Sequence, residues 1–322
     1  MRQAGKYRKW TRLPLAAGLL AALAGCTGAA GETPVSSSPA GGASAAPYSY
    51  TFGIIYPMAH PYYETMTETA QKAAEPAGVR LVVKAPDEAN LEQQIRMMET
   101  MIKMGVDAIA IDPVDSDALA PVIDKAVLGG IPVICFESDA PSSKRLGFVG
   151  VDNVEAGVRM GQAIDRQLKG RGMVLVETGM SRMRSLGQRL QGMLDYINAH
   201  TDIQVLEVRY NEGSEDKALS DLEEMIDAHP HFDAFIALDV VSGPASVLVW
   251  KAKGLTRYAV TFGVTPKIRE AIANGQIKAA VSQNEAGIGT RIVERMLQAA
   301  QGQAVPAFDD TGLTEIASGS AP

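Results

Sequence analysis

The chain has 322 residues, 46% of them hydrophobic and 21% charged, with a formal net charge of −7. That length and apolar content bury a sizeable core and favour two domains over one. The acidic balance argues against nucleic acid as a partner, and two cysteines, Cys26 and Cys135, exclude a disulfide framework.

Residues 1–12 carry Arg2, Lys6, Arg8, Lys9 and Arg12 without an acid, and residues 13–25 are apolar and small. A basic start, a short apolar run and small residues before a cysteine make a secretory signal. A spanning helix needs about 20 apolar residues, more than this stretch supplies. Leu23-Ala24-Gly25-Cys26 resembles the lipobox of bacterial lipoproteins. The resemblance implies cleavage before Cys26, lipidation of its thiol and an extracytoplasmic protein anchored to the cell membrane by more than one acyl chain. Loss of residues 1–25 removes five basic residues and no acid, leaving a net charge near −12. Residues 27–47 are almost entirely Ala, Gly, Ser, Pro and Thr, so 26–47 reads as the lipidated cysteine followed by a flexible tether.

From residue 48 onward β-rich runs alternate with amphipathic helices. Strands are expected at 51–56, 79–84, 106–111, 131–136 and 146–151, with helices at 62–77, 88–104, 118–128 and 154–169. A second set follows: strands at 173–177, 204–209, 234–238, 257–262 and 278–282, and helices at 186–199, 215–228, 244–253, 266–274 and 285–301. Regular βαβ alternation implies parallel sheets with helices on both faces and right-handed crossovers. Met97, Met98, Met101 and Met104 recur at helical spacing and read as core filler. Cys135 falls in an apolar run and reads as a buried strand residue.

The first strand leads into Pro57-Met58-Ala59-His60-Pro61-Tyr62-Tyr63, a strand-loop-helix unit, and ligands of open α/β sheets sit at such strand ends. Pro61 suits the first helical turn and throws Tyr62 and Tyr63 toward the crevice; their other reading is helix-sheet packing. Polar residues recur at the later strand ends: Asp112, Glu137-Ser138-Asp139, Asp152-Asn153, Asp239 and Gln283. Carboxylates and amides there suit the paired hydrogen bonds of a hydroxylated ligand, with tyrosine covering the apolar face of a sugar ring. Asp112-Pro113 and Asp152-Asn153 equally suit helix N-caps.

Several stretches resemble the ribose-binding-protein-like, type I periplasmic solute-binding proteins. They are Asp112-Pro113-Val114-Asp115-Ser116-Asp117-Ala118, Gly130-Ile131-Pro132-Val133-Ile134, Val151-Asp152-Asn153-Val154-Glu155-Ala156-Gly157, Arg189-Leu190-Gln191-Gly192 and Asn274 through Gln283. The resemblance covers about residues 48–318. It implies two Rossmann-like lobes with parallel sheets, 48–151 plus 284–310 and 152–283 plus 311–318, joined by a three-strand hinge and closing on ligand like a clamp. Carried over by position, it points to His60, Tyr62, Tyr63, Asp112, Glu137, Arg189, Asp239 and Gln283 as ligand-binding residues, with Arg189 forking onto hydroxyls. Asp139 joins them within Glu137-Ser138-Asp139, which is similar to rhamnose and furanose-autoinducer binders. The chain departs from the ribose pattern where Gly263 replaces an Asp and Gly213 an aromatic. Those departures imply a roomier second lobe, a ligand other than ribose, and an uncommon or cationic one where several acids face one Arg.

Enzymatic signatures are absent: the sequence has no Walker loop, GxGxxG, GxSxG or HExxH. Asp112, Glu137 and Asp239 suit paired glycosidase acids in isolation, but the family resemblance explains them without chemistry. His229-Pro230-His231 reads as a turn rather than a metal site, and neither cofactor nor metal is implied. The expectation is a monomeric lipoprotein that binds a small sugar-like ligand for an ABC permease. The alternative is a sensor presenting its closed form to a membrane histidine kinase. A lac-repressor-type regulator shares the fold but needs a helix-turn-helix where the signal stands.

Overall fold

A computed structural model describes residues 48–317. The signal, Cys26 and the tether lie outside the described residues.

The first half builds β1 (Tyr50–Ile55), α1 (Tyr62–Ala74), β2 (Val79–Lys84), α2 (Leu91–Met104), β3 (Ala108–Ile111), α3 (Ser116–Leu128), β4 (Val133–Phe136) and β5 (Gly147–Gly150). The second continues with α4 (Asn153–Leu168), β6 (Arg171–Thr178), α5 (Arg184–His200), β7 (Asp202–Tyr210), α6 (Glu215–Ala228), β8 (Ala234–Ala237), α7 (Ser242–Lys253), β9 (Tyr258–Phe262), α8 (Pro266–Ala273) and β10 (Ala279–Ser282). The chain then adds α9 (Glu285–Ala300), β11 (Phe308–Asp310) and β12 (Thr314–Ala317). Two six-stranded sheets result, in the orders β11-β5-β4-β3-β1-β2 and β12-β10-β9-β8-β6-β7. Every pairing is parallel except β10 with β12. This is the two-lobed α/β architecture expected from the alternation.

The chain passes between the sheets three times: from β5 to α4, from β10 to α9, which packs on α1 in the first lobe, and from β11 to β12. Asn284, at the second passage, holds a left-handed φ of 59°. Thr311, at the third, ties two passages together by donating through Oγ1 to Gln283 O at 2.8 Å.

Strands covered on both faces need apolar residues at every position, which is why they read as continuous runs. Period two then sorts the side chains. Phe52, Ile54, Ala108 and Ala110 join the core under α1 and α9, whereas Ile55, Ile109 and Ile111 join the one under α2 and α3. Cys135 is fully buried on β4, and Met98 and Met101 are core, whereas Met104 is exposed.

Three local expectations are corrected. The first helix stops at Ala74 rather than residue 77, because Pro76 disfavours helix in the residue before it and brings no N–H. Pro61 stands at the N-cap rather than in the first turn. The second helix starts at Leu91, three residues late, because Asn90 caps it by accepting from Gln93 N at 2.9 Å.

Candidate functional site

The carboxyl ends of both sheets face one another, and the side chains there meet. Tyr62 is buried, its ring lying over Gly263 of the opposite lobe. Its hydroxyl donates to Glu137 Oε1 at 3.0 Å and accepts from Gln283 Nε2 at 2.7 Å. Gln283 Nε2 also donates to Glu137 Oε1. Tyr63 stacks on Tyr56, with centroids 4.8 Å apart, and meets Tyr62 edge-on at 5.2 Å. Behind them Gln94, fully buried on α2, donates to Tyr56 O at 3.1 Å and to Asp112 O at 2.8 Å. It accepts from Val114 N at 3.0 Å. One amide thus locks two strand ends in place, in a role that a glutamine among polar helical residues does not signal in sequence.

Arg189 comes from α5, and two glycines set its depth. A Cβ at Gly157 of α4 would lie 2.0 Å from Arg189 O, and one at Gly192 of α5 would lie 2.0 Å from Val154 O, so only glycine lets these helices approach so closely. The guanidinium donates through Nη1 to Leu238 O at 2.5 Å and through Nη2 to Asn153 Oδ1 at 2.7 Å. Its Cζ stands 3.3 Å from the Phe262 ring centroid. Burial lowers its pKa to about 10, against the pull of Glu137 and its neighbours.

Asp112 is fully buried, and neither carboxyl oxygen has a hydrogen-bond partner. Its carboxyl lies against that of Glu137, and burial together with that charge holds its pKa well above the usual range. The N-cap reading of Asp112 does not hold, since Asp115 caps α3. Glu137 adopts a left-handed φ of 54°, a conformation non-glycine residues seldom take outside turns and functional sites. Burial raises its pKa to about 7, and Arg189 opposes the shift. Asp239 accepts from Asn211 Nδ2 at 2.8 Å, from Ser242 N at 3.0 Å and from the Ser242 hydroxyl. Glu177, on β6 behind Asp239, is fully buried with both oxygens unpartnered; burial, then Asp239 and Asp221, raise its pKa to about 9.

His60 stands at the rim. Its Nδ1 accepts from Tyr62 N at 3.2 Å, which puts the proton on Nε2, 3.8 Å from Glu215 Oε1 of the other lobe. Burial lowers its pKa, partly offset by Glu215. Asp139 does not join this group. Both of its oxygens engage Arg145, one at 2.6 Å, in a separate groove near β5 and Phe308. Asp152 is an N-cap, accepting from Val154 N and Glu155 N. The expected roominess at the two glycines is absent, because neighbours fill the space: Tyr62 and Val240 over Gly263, and Met58 and Ala89 over Gly213. Among these side chains remains a cavity of about 30 Å³ whose lining includes Met58, Tyr63, Glu137, Arg189, Asp239 and Phe262. That is far below the roughly 300–1,000 Å³ of a small-molecule site, whereas a wider cavity of about 530 Å³ opens between the lobes at His60, lined also by Glu64, Glu215, Pro244, Thr265 and Lys267.

Asn211, Glu177 and Phe262 are not singled out by sequence, whereas Asn153 stands among the polar strand ends. Asn211 also follows a strand end, the signal by which the others are found. Among the described residues no cluster suited to a metal ion occurs, and His229 Nε2 simply lies 3.2 Å from Glu207 Oε2.

This geometry coincides with a sequence match: the model of the periplasmic binding protein domain aligns with residues 53–304. The chain belongs to that family. Among its relatives is the D-ribose/D-allose-binding protein of Pseudomonas aeruginosa, 27% identical over 237 residues, covering 71% of this chain and 74% of the relative. The ribose import binding protein of Escherichia coli is 24% identical over 256 residues, 79% of this chain and 86% of the relative. A solved ABC-transporter solute-binding protein from Burkholderia graminis, in complex with D-arabinose, superposes with a TM-score of 0.80 at 26% identity, covering 84% of this chain and 96% of that one. These relatives are binding proteins, not enzymes, and the two-lobed periplasmic-binding-protein type I fold is shared with them.

Proposed function

We propose that this chain is an extracytoplasmic lipoprotein that captures a small sugar or sugar-like ligand between its lobes and delivers it to an ABC importer. The observation that carries the reading is the convergence of Asp112, Glu137, Arg189, Asp239 and Gln283 at facing strand ends, with Asp112 buried and unpartnered. Such a set costs stability unless a hydroxyl-rich ligand supplies the missing partners. Relatives that bind ribose, allose and arabinose support a carbohydrate ligand. Lipidation at Cys26 and a tether over 26–47 would hold a monomeric clamp beside its membrane partner.

A thermal-shift screen of pentoses, hexoses, deoxysugars, polyols and their amino derivatives tests the ligand class. A true ligand at 100 times Kd adds about 2.7 kcal/mol, and a flat response across the panel sinks the reading. Metabolic labelling with a fatty acid, with and without Cys26→Ser, tests the anchor. Cross-linking in membranes tells a permease partner from a sensor kinase, the other destination a tethered clamp suits.

A further inference from the structure

We propose that the ligand selected by this cleft is a cation, a polyhydroxylated ring bearing an ammonium group that Asp112 and Glu137 hold. The inference rests on the sugar-class reading and narrows it. The cleft sets three carboxyls, Asp112, Glu137 and Asp239, against one guanidinium, that of Arg189. Arg189 is largely committed: Leu238 O and Asn153 accept from its two terminal nitrogens and its Cζ lies over Phe262, which leaves only Nε without a partner. Asp239 is committed as well, held by Asn211 and by the backbone and hydroxyl of Ser242. Glu137 accepts from Tyr62 and Gln283 through Oε1, so Asp112 and the second oxygen of Glu137 remain.

Asp112 is fully buried with no other side chain donating to it, and its carboxyl meets that of Glu137, which lines the cavity. Two adjacent buried carboxyls that share the single guanidinium of Arg189 with Asp239 keep company by retaining a proton, and burial raises the pKa of both against the pull of Arg189. A neutral hydroxyl donates one hydrogen bond and leaves the charge problem unsolved. An ammonium offers three donors and a full positive charge, the compensation that buried acids require. Met58, Met180, Met183 and Leu186 complete the wall. They exclude water, so a charge pair there is worth more than at the surface. When an ammonium enters, the acid pair releases one proton to solvent by breaking that carboxyl O–H bond, and no other bond changes.

Calorimetry on the full chain tests this at pH 7 in two buffers of different ionisation enthalpy, with hexosamines and inosamines each run against the parent hexose or inositol. An amine should bind at least about tenfold more tightly than its parent, with proton release seen as a buffer-dependent enthalpy. Asp112→Asn should weaken the amine by about 10- to 100-fold and abolish the release, while moving the parent's affinity far less. Glu137→Gln, which preserves shape, is the second variant should Asp112→Asn misfold. Parent polyols that bind as well as amines, without proton exchange, overturn the cation and leave the sugar reading standing. Binding of neither class overturns both.

Discussion

Arg189 lies flat on Phe262, its Cζ 3.3 Å from the ring centroid, while its terminal nitrogens reach Leu238 O and Asn153. The residue that resemblance marks as a ligand fork is also a strut, joining α5, α4 and the ends of β8 and β9. Arg189→Lys keeps the charge but cannot form both bonds and the stacked contact at once. It should cost about 1–3 kcal/mol of stability and at least about tenfold in ligand affinity. Chemical denaturation and calorimetry read the two effects separately.

Tyr62 relays between Glu137 and Gln283 through a single hydroxyl. Tyr62→Phe retains the ring over Gly263 and leaves both partners short of a bond, which should destabilise the protein by about 1–3 kcal/mol, read as a lower melting temperature. Tyr62→Ala also empties the space above Gly263, at roughly 3–5 kcal/mol, and should abolish most binding. Equal effects of the two substitutions would mean that the ring contributes nothing.

Gly157 carries the approach of α4 to α5. An added methyl would meet Arg189 O at 2.0 Å and Met193 N at 2.8 Å, all backbone, so the helices must separate. Gly157→Ala should destabilise by about 1–3 kcal/mol and weaken ligand binding by displacing Arg189. Gly187→Ala, on the open side of α5 with nothing near its Cβ, is the matched control; it should leave ligand affinity unchanged and stabilise by up to about 1 kcal/mol through helix propensity.

Buried acids give the ligand-free protein an unusual pH profile. Glu177 is raised from 4.5 to about 9 and Glu137 from 4.5 to about 7, so above pH 4.5 the folded state holds protons that the unfolded state has lost. Stability therefore falls as pH rises through that window, and does so most clearly between about 6.5 and 9. His60, lowered below its usual 6.5, works in the opposite sense but only as pH falls below that value. The melting temperature should decline from pH 6.5 to 9, and Glu177→Gln should flatten the decline and stabilise at pH 9 by on the order of 1–3 kcal/mol. A profile unchanged in that variant would show Glu177 already relieved by solvent.

Ten of the strands and all nine helices among the described residues announce themselves in sequence, because a strand covered on both faces must be apolar throughout and a helix on a sheet must be apolar on one side. The edge strands β11 and β12 do not. Phe308-Asp309-Asp310 and Thr314-Glu315-Ile316-Ala317 are short and half exposed, and what fixes them lies elsewhere in the chain, including Arg295, which holds Asp309 at 2.7 Å.

The candidate site divides along the same line. Strand ends are local features, so Asp112, Glu137, Asp239 and Gln283 can be picked out from the residues at which apolar runs stop, and the lobes from the order of those runs. Which of those side chains face the cleft is decided over distances of up to 221 residues, as between Tyr62 and Gln283. Only the fold turns Asp139 away to Arg145, commits Asp239 to Asn211 and Ser242, and leaves Asp112 buried beside Glu137 without a partner. Sequence determined where the carboxyls stand along the chain, because secondary structure follows local periodicity. Tertiary structure decided which of them find a partner, because hydrogen bonds and charge are shared among residues that only folding brings together.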